Sequence, residues 1–332
     1  MRFIWAAVLS SAGLFAGAAS AQEISTGTLH WGGHLIVRYT ADTSTGAVDA
    51  FTVGETLLHA LYKPHPKVAM RARLVLNKLH SRQEGLRHAY LEYEVFPRWD
   101  IEAGQISIPV SREITAALPD LDFSEPALFA RRLFNREPEG TDIGAKIKGR
   151  WKMFHLGAAA VNGAGPNAAD DTGKKSFAGR LGGEWREFAL GGYAYLGDQA
   201  DSAGPVLRNR FGGELRLGPP GQNLRAEYHR GQDGTLVSDG WFIQMDAALG
   251  IFSPEAYRKL EWLQRLRPVV RFESYDPDRQ TRNDRQMTTR ATIHYYFSND
   301  FRLSVQYDAG REEDPKKQID NDAFTAQCLL RF

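Results

Sequence analysis

The sequence predicts an all-β chain closed as a transmembrane antiparallel barrel of about sixteen strands. Three observations carry this. Segments of roughly ten residues alternate with period two, one face of each being charged and the other apolar. Their connections alternate short and long, and aromatic residues gather beside the short ones.

From the N-terminus, residues 1–21 read as a cleaved export signal: Arg2, an apolar run from Phe3 to Ala19, and the small residues Ala19, Ser20 and Ala21 at the cleavage site. Residues 22–332 then form one barrel domain. With no cysteine near the cleavage site, a lipid anchor is not expected. Loss of Arg2 leaves 40 of the 41 Lys and Arg residues against 40 Asp and Glu, so net charge points to neither nucleic acid nor an anionic membrane surface. The lone Cys328 cannot close an internal disulfide, and no Cys or His spacing resembles a metal site, so neither metal nor cofactor is expected. Past the signal no apolar run of about 20 residues exists, which excludes helical spans.

The alternating segments are Thr28 to Tyr39, Val48 to Tyr62, Lys67 to Leu79, Leu86 to Phe96, Trp99 to Val110, Thr141 to Trp151, Met153 to Asn162 and Lys175 to Trp185. They continue with Phe188 to Leu196, Val206 to Leu217, Asn223 to Arg230, Ser238 to Leu249, Pro268 to Asp276, Gln286 to Phe297, Phe301 to Asp308 and Asp322 to Phe332. In the sixth, Ile143, Ala145, Ile147 and Trp151 alternate with Asp142, Lys146, Lys148 and Arg150. A soluble sandwich would also alternate, but its aromatics would sit mid-strand. Here Phe96 and Trp99 flank Pro97-Arg98, and Trp185 and Phe188 flank Arg186-Glu187, as at a membrane interface.

If the first strand rises from the periplasm, the short joins are periplasmic. The longer ones, including Ala41 to Ala47, Ser111 to Gly140, Gly163 to Gly173 and Gly197 to Pro205, are then external. One long periplasmic join, Gly250 to Arg267, carries a helix signal in Ser253-Pro254-Glu255, with Tyr257, Leu260, Leu263 and Leu266 at helical spacing. The ending Phe324, Ala326, Cys328, Leu330, Phe332 puts one apolar face on the last strand, which must close on the first because hydrocarbon leaves no partner for an open edge.

Several stretches resemble the phosphate-selective porin O and P family: Ala89-Tyr90-Leu91-Glu92-Tyr93, Ala103-Gly104-Gln105 with Ile108-Pro109-Val110, Thr141-Asp142-Ile143-Gly144, Gly240-Trp241-Phe242-Ile243-Gln244, and Pro268-Val269-Val270-Arg271-Phe272-Glu273. The resemblance implies a homotrimer in the bacterial outer membrane, each barrel narrowed by an inward-folded third external loop. By residue count that loop is 111–140. It is too apolar for a solvated flap, since Ile114, Leu118, Leu121, Phe123, Leu128, Phe129, Leu133 and Phe134 need something to pack on. Where family members cluster lysines at the constriction, this loop has none, which weakens the case for phosphate itself.

Strand parity sends Arg71, Arg73, Lys146, Lys148, Arg150, Arg180, Arg208, Arg210, Arg271 and Arg290 inward as pore-lining, anion-binding candidates, and the loop adds Arg131, Arg132 and Arg136. The expected function is passive diffusion of small hydrophilic solutes with a weak anion preference, and no enzymatic activity. Two other classes remain open at this point. One is the barrel of an electron-transfer complex, whose haem would come from a partner. The other is a hydrolase using His155, His229 or His294, although no serine or acid spacing singles one out.

Overall fold

The computed structural model describes residues 27–42, 49–80, 85–135, 138–202, 204–219, 221–247, 249, 259–314 and 321–332. The expected signal, Arg136 and most of the helix expected after Ser253 lie outside them. Sixteen strands follow in chain order: β1 (Thr28–Asp42), β2 (Ala50–His65), β3 (Val68–Val75), β4 (Leu86–Phe96), β5 (Trp99–Ser107), β6 (Thr141–Trp151), β7 (Phe154–Val161) and β8 (Ser176–Trp185), then β9 (Phe188–Asp201), β10 (Gly204–Leu217), β11 (Leu224–Asp233), β12 (Leu236–Asp246), β13 (Leu266–Asp276), β14 (Gln286–Tyr296), β15 (Phe301–Glu312) and β16 (Ala323–Arg331). Each pairs with the next, and β16 returns to β1, so the sheet is a closed antiparallel barrel. At the seam Val37 faces Cys328, and Gly33 and Phe332 exchange backbone hydrogen bonds of 2.9 and 3.1 Å. Closure removes the sheet edges.

Burial is inverted relative to a water-soluble protein. Arg208, Arg210 and Arg271 are among the largest fully buried side chains, whereas Phe51 is 81% exposed, Trp31 70% and Trp185 63%. Charges on the inside and bare apolar side chains outside fit a wall whose outer solvent is hydrocarbon. No described helix is long and apolar enough to cross a membrane.

At one end the hairpins are tight, at 97–98, 152–153 and 186–187. Arg98, Lys152 and Arg186 take positive φ there, a conformation that disfavours side-chain-bearing residues. Trp151 and Phe154 stack across one of these turns at 6.2 Å, and the Lys152 ammonium lies 5.0 Å from the Trp151 ring. Cations at interfacial aromatics combine an apolar body with a wet tip.

The structure departs from the sequence reading at several element ends, among them β15, which runs to Glu312 into the expected loop Ala309 to Asn321. The expected long join Gly197 to Pro205 is a tight hairpin, since β9 continues to Asp201 and β10 begins at Gly204, whose φ of 118° suits a turn that other residues resist. Beyond the hydrocarbon a strand can continue without apolar residues, so polarity there did not mark a loop. β5 stops at Ser107 because Pro109 has no N–H to donate. β3 stops at Val75 in a 3₁₀ turn, Leu76–Lys78. Leu266, read as helical, already belongs to β13, and the described helix before it is only Glu261–Gln264.

Candidate functional site

The segment between β5 and β6 holds two short helices, α1 (Arg112–Thr115) and α2 (Leu128–Leu133), with 3₁₀ turns at Leu118–Asp120 and Pro138–Gly140. Helices this short are unstable alone, so their shape depends on what they touch. Ile114, Leu128, Phe129, Leu133 and Phe134 join one buried apolar cluster with Ala159, Val161, Ala178, Tyr193, Tyr195, Phe242 and Tyr275 of the wall. Phe129 stacks on His229 at 3.9 Å between ring centroids. Two wall glycines allow this approach. A Cβ on Gly240 would sit 2.6 Å from Cβ of Phe129, and one on Gly231 would sit 2.6 Å from Cδ2 of Leu133.

Polar contacts fasten the same segment to most of the circumference. The Ser124 carbonyl accepts from Arg38 of β1, and its N–H donates to Gln306 of β15 at 2.8 Å. Arg331 of β16 donates to Asp120 at 2.8 Å and to the Pro119 carbonyl at 2.9 Å. Arg290 of β14 reaches the Glu125 carbonyl at 3.0 Å, and Arg208 and Arg210 of β10 reach the Leu133 carbonyl at 3.2 and 2.9 Å. Arg180 of β8 reaches the Val110 carbonyl at 2.6 Å. The segment therefore crosses the barrel interior.

Strand registers explain why so much cation meets it there. Arg216 of β10 stands opposite Arg225 of β11, Arg225 opposite Gln244, Gln244 opposite Arg271 and Arg271 opposite Arg290, so one layer of the wall is a belt of arginines. Like charges directly opposed are destabilising, and the crossing segment supplies counter-charge to two of these arginines, Arg225 and Arg271. Glu113 accepts from Arg271 at 2.7 and 3.0 Å and from Arg225 at 3.3 Å, while Asp122 accepts from Arg225 at 2.9 Å and pairs with Arg267 at 3.1 Å. The Arg271 guanidinium also lies between Phe123 and Phe242, 4.6 and 4.3 Å from their ring centroids. Burial alone would raise the Asp122 carboxyl, but Arg267 and Arg225 outweigh it and hold it at about 2. Burial likewise opposes ionisation of Glu113, and Arg271 and Arg225 bring it below the ordinary carboxylate range.

The ten strand residues singled out from the sequence thus fall into three groups. Arg208, Arg210, Arg271 and Arg290 are buried against the crossing segment. Arg71, Lys148 and Arg150 keep 40, 39 and 56% of their side chains accessible, with Arg71 paired to Glu92 at 3.5 Å, Lys148 to Glu102 at 2.6 Å and Arg150 to Glu184 at 3.6 Å. Lys146 bonds Glu102 at 2.7 Å, Arg180 pairs with Glu214, and Arg73 lies 3.9 Å from Glu139. On the segment itself, Arg131 and Arg132 are exposed and Arg131 pairs with Glu125. Sequence reasoning did not single out Glu113 and Asp122, the carboxylates that fix the segment, nor Arg267 and Arg331. Their partners are distant in the chain and are brought into reach only by the strand registers.

A cavity of about 900 Å³ opens beside the segment at Pro109, walled by β5 to β8 near the tight-turn end. Its charged lining is Arg98, Lys146, Lys148, Arg150, Lys152 and Arg180 against Asp100 and Glu184, with His155 between them. The space for His155 comes from Gly182, where a Cβ would lie 2.0 Å from its Nε2.

A closed barrel with charge inside, lipid-compatible side chains outside and a segment fastened across the bore is the architecture of a porin-type channel. Solved structures agree on the fold. The anion-selective porin of Comamonas acidovorans matches with a TM-score of 0.67 at 10% identity, covering 92% of this chain and 99% of that one. Vibrio cholerae OmpT in its trimer form gives 0.66 at 10% identity over 93 and 100%, and the outer membrane channel DcaP of Acinetobacter baumannii gives 0.63 at 13% over 95 and 100%. No family model matches the sequence, and no curated protein matches it. The chain has the fold of outer-membrane porins. Its likeness to the phosphate-selective family stands at that level, since the solved structures it resembles span porins of several kinds.

Proposed function

We propose that the protein is a non-enzymatic diffusion channel of the bacterial outer membrane, exported by a cleaved signal and assembled as a homotrimer, which passes small hydrophilic solutes and prefers anions. The observation that carries the reading is the 900 Å³ cavity, whose lining sets six basic side chains against two acidic ones. A positive, narrow, low-dielectric passage lowers the cost for an anion to shed water and raises it for a cation. The exposed Arg131 and Arg132 extend the same sign onto the crossing segment, which acts as the constriction.

The histidines give no support to a hydrolase. His229 is buried between Tyr193 at 2.7 Å and Glu227 at 3.0 Å, and His294 bonds Ser304 at 2.7 Å in a space that admits no water-sized body. A nucleophile there would have no room for a substrate. His155 alone faces open space, and the charged groups around it are Arg150, Arg180 and Glu184.

The test is single-channel recording of purified protein in a planar bilayer. Stepwise conductance in multiples of three, with a reversal potential of anionic sign in a potassium chloride gradient, is the expected result. A cationic reversal potential overturns the anion preference and leaves the channel; absence of conductance from folded protein overturns both.

A further inference from the structure

The outer wall of β7 to β9 is indented near the tight-turn end. A groove of about 710 Å³ is walled there by Met153, Phe154, Leu181, Trp185, Phe188 and Leu190 and floored by Gly182, Gly183, Gly191 and Gly192. Gly182 stands opposite Gly191, Leu181 opposite Gly192 and Gly183 opposite Leu190, so the four glycines form one bare patch. None of them takes a positive φ, so the backbone conformation does not require glycine at any of the four.

Two of these glycines have a reason inside the barrel. A Cβ on Gly182 would lie 2.0 Å from Nε2 of His155, and one on Gly191 would lie 2.6 Å from Oε1 of Glu214. Gly183 and Gly192 face the opposite way. A Cβ on them would meet nothing closer than Phe154 Cδ1 at 3.4 Å and the Gly212 carbonyl oxygen at 3.5 Å, which is ordinary contact. Glycine weakens a strand interior and marks places where another molecule comes close, and no described residue fills the space outside these two.

The mouth of the groove is basic. Trp185 and Phe188 flank the turn at Arg186-Glu187, and Met153 and Phe154 follow Lys152. The Arg186 guanidinium lies 5.8 Å from the Trp185 ring and the Lys152 ammonium 5.0 Å from the Trp151 ring, and neither has a carboxylate partner among the described residues. Glu187 is the one acid in these two turns. From Leu181 to Trp185 the strand rises roughly 13 Å, or roughly 10 Å in depth at the usual barrel tilt, within the roughly 15 Å of hydrocarbon in one leaflet. The groove thus starts at headgroup level and runs inward as an acyl chain does. Basic side chains at that level attract anionic lipid, and an unfilled groove forfeits van der Waals contact that a fitting chain restores. A second copy of the barrel would set a convex wall against the groove and leave it empty.

We propose that this groove binds one anionic phospholipid of the periplasmic leaflet, with an acyl chain lying on Gly183 and Gly192 and the phosphate between Lys152 and Arg186. The lipid is a ligand of the outer wall, across the sheet from the basic cavity. The inference rests on the outer-membrane reading above and is independent of the anion preference.

The experiment follows binding of dioleoyl phosphatidylglycerol to the detergent-solubilised protein by native mass spectrometry, with dioleoyl phosphatidylcholine as the zwitterionic comparison. Gly183→Ala/Gly192→Leu fills the groove, Lys152→Gln/Arg186→Gln removes the charge, and Val305→Leu adds bulk to the exposed outer wall of β15 as a control. Folding of each is checked by heat-modifiable gel mobility. Wild type and control are expected to retain one phosphatidylglycerol per chain in preference to phosphatidylcholine. Apparent affinity is expected to fall about tenfold when the groove is filled and about fivefold for each cation removed. Equal retention by wild type and the filled-groove variant overturns the proposal, as does equal retention of the two lipids or of neither. Loss of the trimer from the filled-groove variant, with no lipid retained by wild type, assigns the groove to a second copy and also overturns it. If the filled-groove variant does not fold, the charge variant decides, and its unchanged retention overturns the site. The filled-groove variant is expected to conduct as wild type does, so failure of the channel reading shows in the bilayer recording and failure of the lipid site in the mass spectrum.

Discussion

Arg271 shows how one side chain can serve the wall without serving the solute. Its guanidinium has a bidentate carboxylate in Glu113, an amide oxygen in Gln244 and two aromatic faces, and it is 1% exposed. Removing one partner of such a pair strands the other charge in a poor solvent, at a cost of about 3–5 kcal/mol. Arg271→Met is therefore expected to lower the thermal midpoint of the heat-modifiable transition and to add open-channel noise, and a quiet channel with an unchanged midpoint would refute the tether. Lys148 and Arg150 belong to the opposite group, accessible and facing the basic cavity. Exposed charge interactions are worth about 0.2–1 kcal/mol each, so Lys148→Gln/Arg150→Gln is expected to reduce the anion-to-cation permeability ratio by about two- to thirtyfold, read from the reversal potential. In the sequence these residues look alike, since each is a basic residue on the charged face of an alternating strand. Alternation tells which face a residue takes, and only the path of the crossing segment decides whether that face meets protein or water.

The crossing segment is an element whose shape comes from its surroundings. Its length and its run of apolar residues were legible in the sequence as a demand for packing, but the surface that meets the demand was not. Gly231 lies just past the end of an expected strand and Gly240 within one, with nothing in the sequence to set them apart, yet they mark where Leu133 and Phe129 come closest to the wall. Gly240→Ala places a methyl 2.6 Å from the Phe129 Cβ, inside any real contact distance. It is expected to lift α2, cost about 1–3 kcal/mol of stability and narrow the bore, giving a smaller unitary conductance; an unchanged conductance would place α2 elsewhere. Two acids of the segment, Asp122 and Glu113, tie it to the wall at low pH. Asp122 and Glu113 are depressed below their ordinary values, so their stabilisation is full above about 4 and fades as pH falls towards the Asp122 value of about 2. The docked segment is expected to keep its conductance level from neutral pH down to about 4, with loosening only below that, as a pH series of single-channel traces would show.

For the whole molecule, the strand count and the inside-out faces were legible because a period of two survives any local irregularity. The exact strand ends were not, because a strand may run past the membrane on polar residues, as β9 and β10 do. Trimer assembly is checked by cross-linking in detergent, with a band at three chains expected and a monomer-only pattern counting against it. The β1–β16 seam has a further consequence. Pairs such as His34 with Arg331 join residues from opposite ends of the chain, and contacts of that separation form late. Until they form, two rows of backbone amides and carbonyls would face hydrocarbon unsatisfied, at several kcal/mol per group. Insertion is thereby all-or-none: fifteen strands yield no partial barrel, and deletion of 323–332 is expected to abolish the folded gel species outright and not merely to shift its melting.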